Sequence, residues 1–257
     1  MKTIMITGGS GSIGKGIAKV LLQNNYNVIL VGRNQQKLFT TQQELEQATN
    51  NRNIMTYTMD ISDEDQIESK LQSIWQNTSI DGLVNAAGLG EPIDYFSSTK
   101  QDWDTSFQSK LWGTINMTKN IAKLMKEHQI KGRIVIINGT FCYDPNPDFI
   151  INSTVNAALL GFTKAASKYL GNHGICLNVV NPWITESESW QNTATNFAKS
   201  LNTTPELLND NFKKMNPLKR FTDVDEIGQT IAFLLSENAN YINGASINLD
   251  GGASIGY

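Results

Sequence analysis

Short runs of branched apolar residues alternate along this chain with longer stretches whose apolar positions recur every three to four residues. That is the pattern of βαβ units building a parallel sheet, because strands covered on both faces read as continuous apolar runs and their crossover helices as amphipathic ones. The pattern predicts strands at 3–7, 27–31, 54–59, 81–85, 132–138, 175–180 and 246–249. Helices are expected near 13–24, 34–49, 63–76, 101–128, 152–171 and 223–236, with Ser62 or Asp63 capping the third and Asp223 the last. In the Asn- and Gln-rich stretch 34–53, Leu38, Leu45 and Ala48 keep a helical spacing, so the polar bias reads as a solvated helix face. The fold class expected is α/β, a Rossmann-type doubly wound parallel sheet of about seven strands in a single domain spanning 1–257. Residues 184–216 break the rhythm. They are polar, hold Trp190 and follow Trp183, and are expected to form a helical lid over a substrate pocket; a plain helical insertion is the simpler alternative.

Composition narrows the function. With 257 residues, 40% of them hydrophobic, the chain can bury one full α/β core. A net charge of -3 with scattered Lys and Arg leaves no footprint for nucleic acid or an anionic membrane. A small-molecule substrate is therefore the expected partner. Only Cys142 and Cys176 are present, which fits a reducing compartment. No stretch reaches the ~20 apolar residues of a membrane span, and the first strand begins almost at Met1, leaving no room for a leader, so a cytoplasmic location is expected. No metal site enters this reading.

The chemistry starts directly after the first strand, at Thr7-Gly8-Gly9-Ser10-Gly11-Ser12-Ile13-Gly14. Glycines here let the backbone turn tightly and let a pyrophosphate approach the helix N-terminus, whose free N–H groups favour anions. A glycine pattern alone is weak, and an incidental turn would look similar; its place between first strand and first helix strengthens it. The second strand ends Val31-Gly32-Arg33, without the carboxylate that usually holds the ribose 2′-hydroxyl of NAD. Gly32 leaves space and Arg33 offers a planar cation suited to a 2′-phosphate, so NADP(H) is favoured. Were Arg33 instead stacked on adenine, NAD(H) would be admitted as well. Asp60-Ile61 closes the third strand and Asn85-Ala86-Ala87-Gly88 the fourth, at the carboxyl ends where open sheets bind ligands.

With Trp103-Asp104, Gly132-Arg133-Ile134-Val135 and Asp250-Gly251-Gly252, these motifs give a chain that resembles the classical short-chain dehydrogenase/reductase family over nearly its whole length. The family's middle glycine of the first turn is Ser12 here, and Gly11 restores a related spacing. The resemblance implies a cofactor held by Gly8, Ser10, Gly11, Ser12, Ile13, Gly14, Arg33, Asp60, Ile61, Asn85, Ala86 and Ala87. It also implies that Asn181-Pro182-Trp183-Ile184 holds the nicotinamide through Pro182 and Ile184, although Trp183 stands where the family has glycine. Dimers or tetramers through the helices at 101–128 and 152–171, helped by the tail Asp250 to Tyr257, follow from the same resemblance.

The family's catalytic Asn, Ser, Tyr and Lys fall on Lys110, Gly139, Asn152 and Asn156, so all four are replaced. No Tyr is followed four residues later by Lys, so a shifted register does not restore the pair. Residues 152 and 156 still share a helical face. An amide cannot serve as the proton donor of ketone reduction, yet Asn152 can donate a hydrogen bond to a negative oxygen. Lys110 arrives as the usual Lys departs, so the cation has moved to the opposite wall of the site; packing toward the ribose or solvent is the alternative. A divergent branch of the family, containing a reductase of bacilysin biosynthesis, is similar at all four replaced positions, which implies hydride addition to a conjugated enone. Tyr143, in the loop 140–151 with Phe141, Cys142 and Asp144, is either a substitute acid or a pocket-wall aromatic. His173 reads as a helix C-terminal residue. The candidate catalytic residues are thus Lys110, Asn152, Asn156 and Tyr143. The competing reading, from another class, is a catalytically inactive dinucleotide-binding sensor or scaffold.

Overall fold

The computed structural model describes residues 1–88 and 90–254. Its centre is a seven-stranded parallel sheet in the order β3-β2-β1-β4-β5-β6-β7. The strands are β1 (Thr3–Thr7), β2 (Asn27–Gly32), β3 (Ile54–Thr58), β4 (Gly82–Asn85), β5 (Arg133–Ile137), β6 (Cys176–Pro182) and β7 (Ser246–Leu249). The strand order reverses between β1 and β4, and such a switch point opens a crevice at the carboxyl edge of a doubly wound sheet.

Alternation sends Ile4 and Ile6 of β1 to one face and Met5 to the other. One core packs these strands against α1 (Ser12–Gln23), α2 (Gln35–Thr49) and α9 (Val224–Leu235), through Ile17, Leu21, Leu38, Leu45, Ile227 and Ile231. The opposite core packs them against α3 (Glu64–Asn77), α5 (Gly113–Glu127) and α6 (Ile150–Gly171), through Leu71, Met117, Ile121, Val155 and Leu159. Burial on both faces explains why the strands carry so few polar residues. The caps follow local rules: Asp63 accepts from Gln66 N–H, and Asp223 forms a capping box with Glu226. In α2, Leu38 and Leu45 are buried and Ala48 is exposed.

One expectation needs revision. The helix expected at 101–128 is not regular: α4 (Lys100–Ser106) passes into a π-helical turn, Phe107–Trp112, before α5 begins. There the Gly113 N–H donates to Gln108 five residues back, and the Ser109 hydroxyl returns to the Thr105 carbonyl at 2.8 Å. The insertion at 184–216 contains two helices, α7 (Glu188–Ser200) and α8 (Pro205–Met215). Their apolar sides close a third core of Ala194, Phe197, Ala198 and Leu208 around Phe149. The Trp190 indole N–H donates to Asn209 Oδ1 at 2.9 Å and ties the two helices together. At the other end of the chain, the Asp250 carboxylate accepts from Gly252 and Ser254 N–H; the rest of the expected tail contact, 255–257, lies outside the described residues.

Candidate active site

The glycine loop between β1 and α1 is crowded by its own backbone. Gly8 holds φ +65°, and a Cβ there would stand 2.8 Å from the Ala86 carbonyl oxygen; a Cβ on Gly14 would overlap the Gly8 carbonyl. The loop can only be this tight without side chains. Gly11 caps α1 without a side chain, whereas Asn34 and Asp63 occupy the first-turn N–H groups of α2 and α3. The α1 N-terminus therefore keeps donors for an external anion. Across the switch point, Thr7 Oγ1 accepts from the N–H groups of Ala86 and Ala87 at 3.2 and 3.4 Å, fixing the β4 loop to β1.

The edge at β2 carries the features a nucleotide ribose would meet. A Cβ on Gly32 would find only ordinary contacts, 3.4 Å to Leu38 and 3.5 Å to Ser10 Oγ, so the strand end is open and the Ser10 hydroxyl lies beside it. Arg33 follows, exposed, and is in no ion pair among the described residues. Burial would raise the Asp60 carboxyl, but hydrogen bonds from Ser62 and the charges of Arg33 and Lys70 hold it below the ordinary carboxylate range. Ile61 is buried against the start of α5, where a Cβ on Gly113 would come within 2.8 Å of its side chain. These residues fit a dinucleotide: a bare helix N-terminus, an open β2 edge with a free cation, and an apolar wall at Ile61. Pro182 ends β6, and beyond it the Ile184 carbonyl accepts from Thr222 N–H at 2.9 Å. Trp183 is turned into aromatic contacts with Phe212 and Phe221, at 6.2 and 6.1 Å between ring centroids.

The four positions on which the resemblance places the catalytic residues meet in one place. Lys110, carried by the π turn, is only 4% exposed and donates to Asn156 Oδ1 at 2.7 Å and Asn152 Oδ1 at 3.2 Å. An ammonium group only donates, so it orients both amides with their oxygens inward. Asn156, fully buried, spends its NH₂ on the Gly139 carbonyl at 3.4 Å, whereas that of Asn152 has no hydrogen-bond partner among the described residues. Gly139 stands in the left-handed half of backbone space, and a Cβ on it would approach the Asn156 amide to 3.1 Å. Burial draws the Lys110 amine down from 10.5 to about 8. Cys142 is itself pushed up to about 11, chiefly by burial, and remains a neutral thiol at neutral pH; its Sγ lies 3.5 Å from Asn181 Oδ1. Tyr143 is half-buried at the end of a short 3₁₀ turn, and its phenol makes no hydrogen bond to Lys110, Asn152 or Asn156. His173 lies just past α6, against the Tyr169 ring.

Several contacts escape a reading of the sequence. A Cβ on Gly88 would stand 2.8 Å from the Lys110 stem, and one on Gly90 would overlap the Asn152 amide, so the β4 loop lies directly on both side chains. Helix α7 bridges the cleft. Ser189 hydrogen-bonds Ser12 of the glycine loop at 3.2 Å, and Thr193 donates to Glu91 of the β4 loop at 3.1 Å. Ser12 is the position at which the glycine pattern departs from its usual form, and the departure supplies this contact. Only Gly88 and Ser12 belonged to a recognisable motif; Gly90, Glu91, Ser189 and Thr193 carry no sequence signal.

A family model described as enoyl-(acyl carrier protein) reductase matches residues 8–254. The chain belongs to the short-chain dehydrogenase/reductase family. It is 27% identical to the NADPH-dependent reductase BacG of Bacillus subtilis, over 98% of this chain and 97% of BacG. It is 31% identical to the L-xylulose reductase of Caenorhabditis elegans, over 98% of this chain and 96% of that protein. The crystal structure of YwfH, an NADPH dependent reductase involved in bacilysin biosynthesis, superposes with a TM-score of 0.91 at 27% identity, covering 100% of this chain and 99% of the other. The similarity to a bacilysin-pathway reductase agrees with the branch expected from the replaced residues.

Proposed function

We propose that this short-chain dehydrogenase/reductase is an NADPH-dependent reductase that acts on a conjugated enone or similarly activated carbonyl of a small metabolite. The observation that carries this reading is the Lys110 ammonium, held between the carbonyl oxygens of Asn152 and Asn156 in a buried site. The cofactor would lie along Gly8, Ser10, Gly11, Ser12, Ile13 and Gly14, with Asp60, Ile61, Asn85, Ala86 and Ala87 at its adenosine side, Arg33 at the 2′-phosphate, and Pro182 and Ile184 near the nicotinamide. When bound, it supplies a hydride. The names of BacG and YwfH, both NADPH-dependent reductases, support the choice of NADPH over NADH.

The side chains of this site suit one kind of substrate. Addition at the far carbon of an enone leaves negative charge delocalised onto oxygen, and a site needs only donors to hold it. Lys110 has three N–H groups and spends two on amide oxygens; the third is left for substrate. The NH₂ of Asn152, beside Gly90 and without a partner among the described residues, would be a second donor. Asn156, with both ends of its amide committed, acts as a positioning residue for Lys110. A proton for the carbon comes from water or from Lys110, whose amine near 8 exchanges readily at neutral pH. Tyr143 takes the role of pocket wall. Helices α7 and α8 would act as the lid, latched at Ser12 and Glu91, and the protein would work in the cytoplasm as a homodimer or homotetramer.

The test is to titrate the protein with NADPH and NADH by fluorescence and then follow NADPH oxidation with matched enones and saturated ketones. Enone-selective turnover that collapses in Lys110→Gln and Asn152→Ala supports the proposal. Reduction of saturated ketones but not enones would sink it, and tight binding with no turnover would favour a sensor.

A further inference from the structure

The amide that holds Lys110 most closely is itself held from behind. Asn138, just past β5, is buried, and its NH₂ donates to the main-chain carbonyl of Asn156 at 3.2 Å and to Asn181 Oδ1 at 3.1 Å. The next carbonyl, that of Gly139, accepts from the Asn156 side chain, so the segment 138–139 grips Asn156 by backbone and amide together. Asn181 is fully buried and precedes Pro182 in β6. Its own NH₂ is fixed on β7, by Ser246 Oγ at 2.8 Å and Asn248 Oδ1 at 3.0 Å. One side chain thus ties the helix behind Lys110 to the strand end that carries Pro182.

Stability does not account for an amide at this position. Asn138 Oδ1 is buried with no hydrogen-bond partner among the described residues, and a buried acceptor left unpaired is a cost. Leucine has nearly the same shape without that oxygen. Nor would leucine strand the groups that Asn138 serves. The Asn156 carbonyl keeps the N–H of Leu160 one turn on in α6, and Asn181 Oδ1 keeps the Cys142 thiol, whose Sγ lies 3.5 Å away. What only the amide supplies is a fixed spacing between α6 and β6.

We propose that Asn138 is a positioning residue, which sets through Asn156 where the Lys110 ammonium stands and through Asn181 where Pro182 holds the nicotinamide. The group that receives negative charge and the group that gives the hydride then keep one register, and an error of ~1 Å in such a register can cost on the order of 10²-fold in rate. This inference rests on the reductase reading of the site.

The test is Asn138→Leu, read by thermal melts, by the fluorescence of bound NADPH and by turnover. The melting temperature and the NADPH affinity should match those of the wild type, since no buried group loses its last partner. The fluorescence lifetime of bound NADPH should shorten, because the nicotinamide turn has lost a tether. Turnover should fall in kcat by on the order of 10²-fold with little change in KM. Asn138→Ser, which keeps a single donor, should lie between the two proteins in kcat. A melting temperature that falls in step with activity makes Asn138 a merely structural residue and overturns the inference. So does a folded Asn138→Leu with unchanged lifetime and kcat. Turnover by the wild type separates the two readings. If it reduces no enone and the lifetime still shortens in Asn138→Leu, the enone reductase is removed and the positioning role stays; equal enone turnover by both proteins does the reverse.

Discussion

Replacing Lys110 by Met should change how the stability of the protein depends on pH, and the size of the change follows from burial. The Lys110 amine falls from 10.5 to about 8 on folding because the protein strips water from it. A drop of about 2.5 pH units is worth about 3 kcal/mol at ~1.4 kcal/mol per unit. Below about pH 8 the amine is charged in both states, and the folded protein carries the whole penalty. Between about 8 and 10.5 the unfolded chain holds the proton and the folded one has released it, so stability rises with pH through this window. Lys110→Met has no such group and cannot gain. It also leaves the Asn152 and Asn156 carbonyls without their donor, but that loss does not depend on pH and drops out of the comparison. The melting temperature of the variant minus that of the wild type should therefore fall by on the order of 10 °C between neutral pH and pH 10.5, at ~2–4 °C per kcal/mol for a chain of this size. Other titrating groups are common to both proteins and cancel. The measurement is a pair of thermal melts without cofactor, since a bound anion would restore the amine. A difference that stays constant across the window would refute the claim that Lys110 is buried and unpaired.

Arg33→Ala should weaken NADPH binding by about 10- to 150-fold, the worth of a charged hydrogen bond, and leave NADH binding nearly unchanged; equal losses for both would place the guanidinium on the adenine instead. Gly90→Ala must displace the Asn152 amide, so turnover should fall by on the order of 10²-fold while NADPH titrations stay at the wild-type affinity. Gly14→Ala forces the glycine loop off the Gly8 carbonyl and should cost ~1–3 kcal/mol in denaturant unfolding together with affinity for both cofactors. Glu226 is held at about 2 by the Arg220 hydrogen bond and the Asp223 N–H, so its contribution is present above its ordinary 4.5 and fades as pH falls toward 2. Because that ion pair is half-exposed, Glu226→Gln should lose no more than about 1 kcal/mol at neutral pH, with the deficit vanishing in acid melts.

The fold was legible because its signals are local. Apolar runs buried on both faces mark strands such as Ile4–Ile6 and Val28–Val31, and capping residues such as Asp63 and Asp223 mark helix starts within a residue or so. The glycine loop was legible for the same reason, since its glycines stand between β1 and α1. The spacing of Leu38, Leu45 and Ala48 marked α2 as a helix, but spacing alone does not say which of the three is buried, and Ala48 is exposed. The contacts of α7 were invisible, for Ser12–Ser189 and Glu91–Thr193 join positions 177 and 102 residues apart by single hydroxyls that leave no pattern.

The least legible feature is also the one on which the site turns. A regular helix across 101–128 offers no reason for a lysine to point inward, and with solvent available a lysine normally takes it. The π turn at Phe107–Trp112 widens the backbone at this point, and the β4 loop then closes over the Lys110 stem at Gly88. The family arrangement keeps its cation on α6, one turn from the tyrosine it assists; here α6 offers two amides in their place, and the cation reaches them from the facing helix. Amides at 152 and 156 can accept from an ammonium as readily as they can donate to a substrate, so replacing both residues together preserves a connected hydrogen-bond chain from Gly139 through Asn156 and Lys110 to Asn152. Isolated loss of the family residues would instead leave unpaired groups at a buried position. The continuity of that chain couples the positions, so that substituting Lys110 or Asn156 leaves a buried neighbour's hydrogen bond unmade.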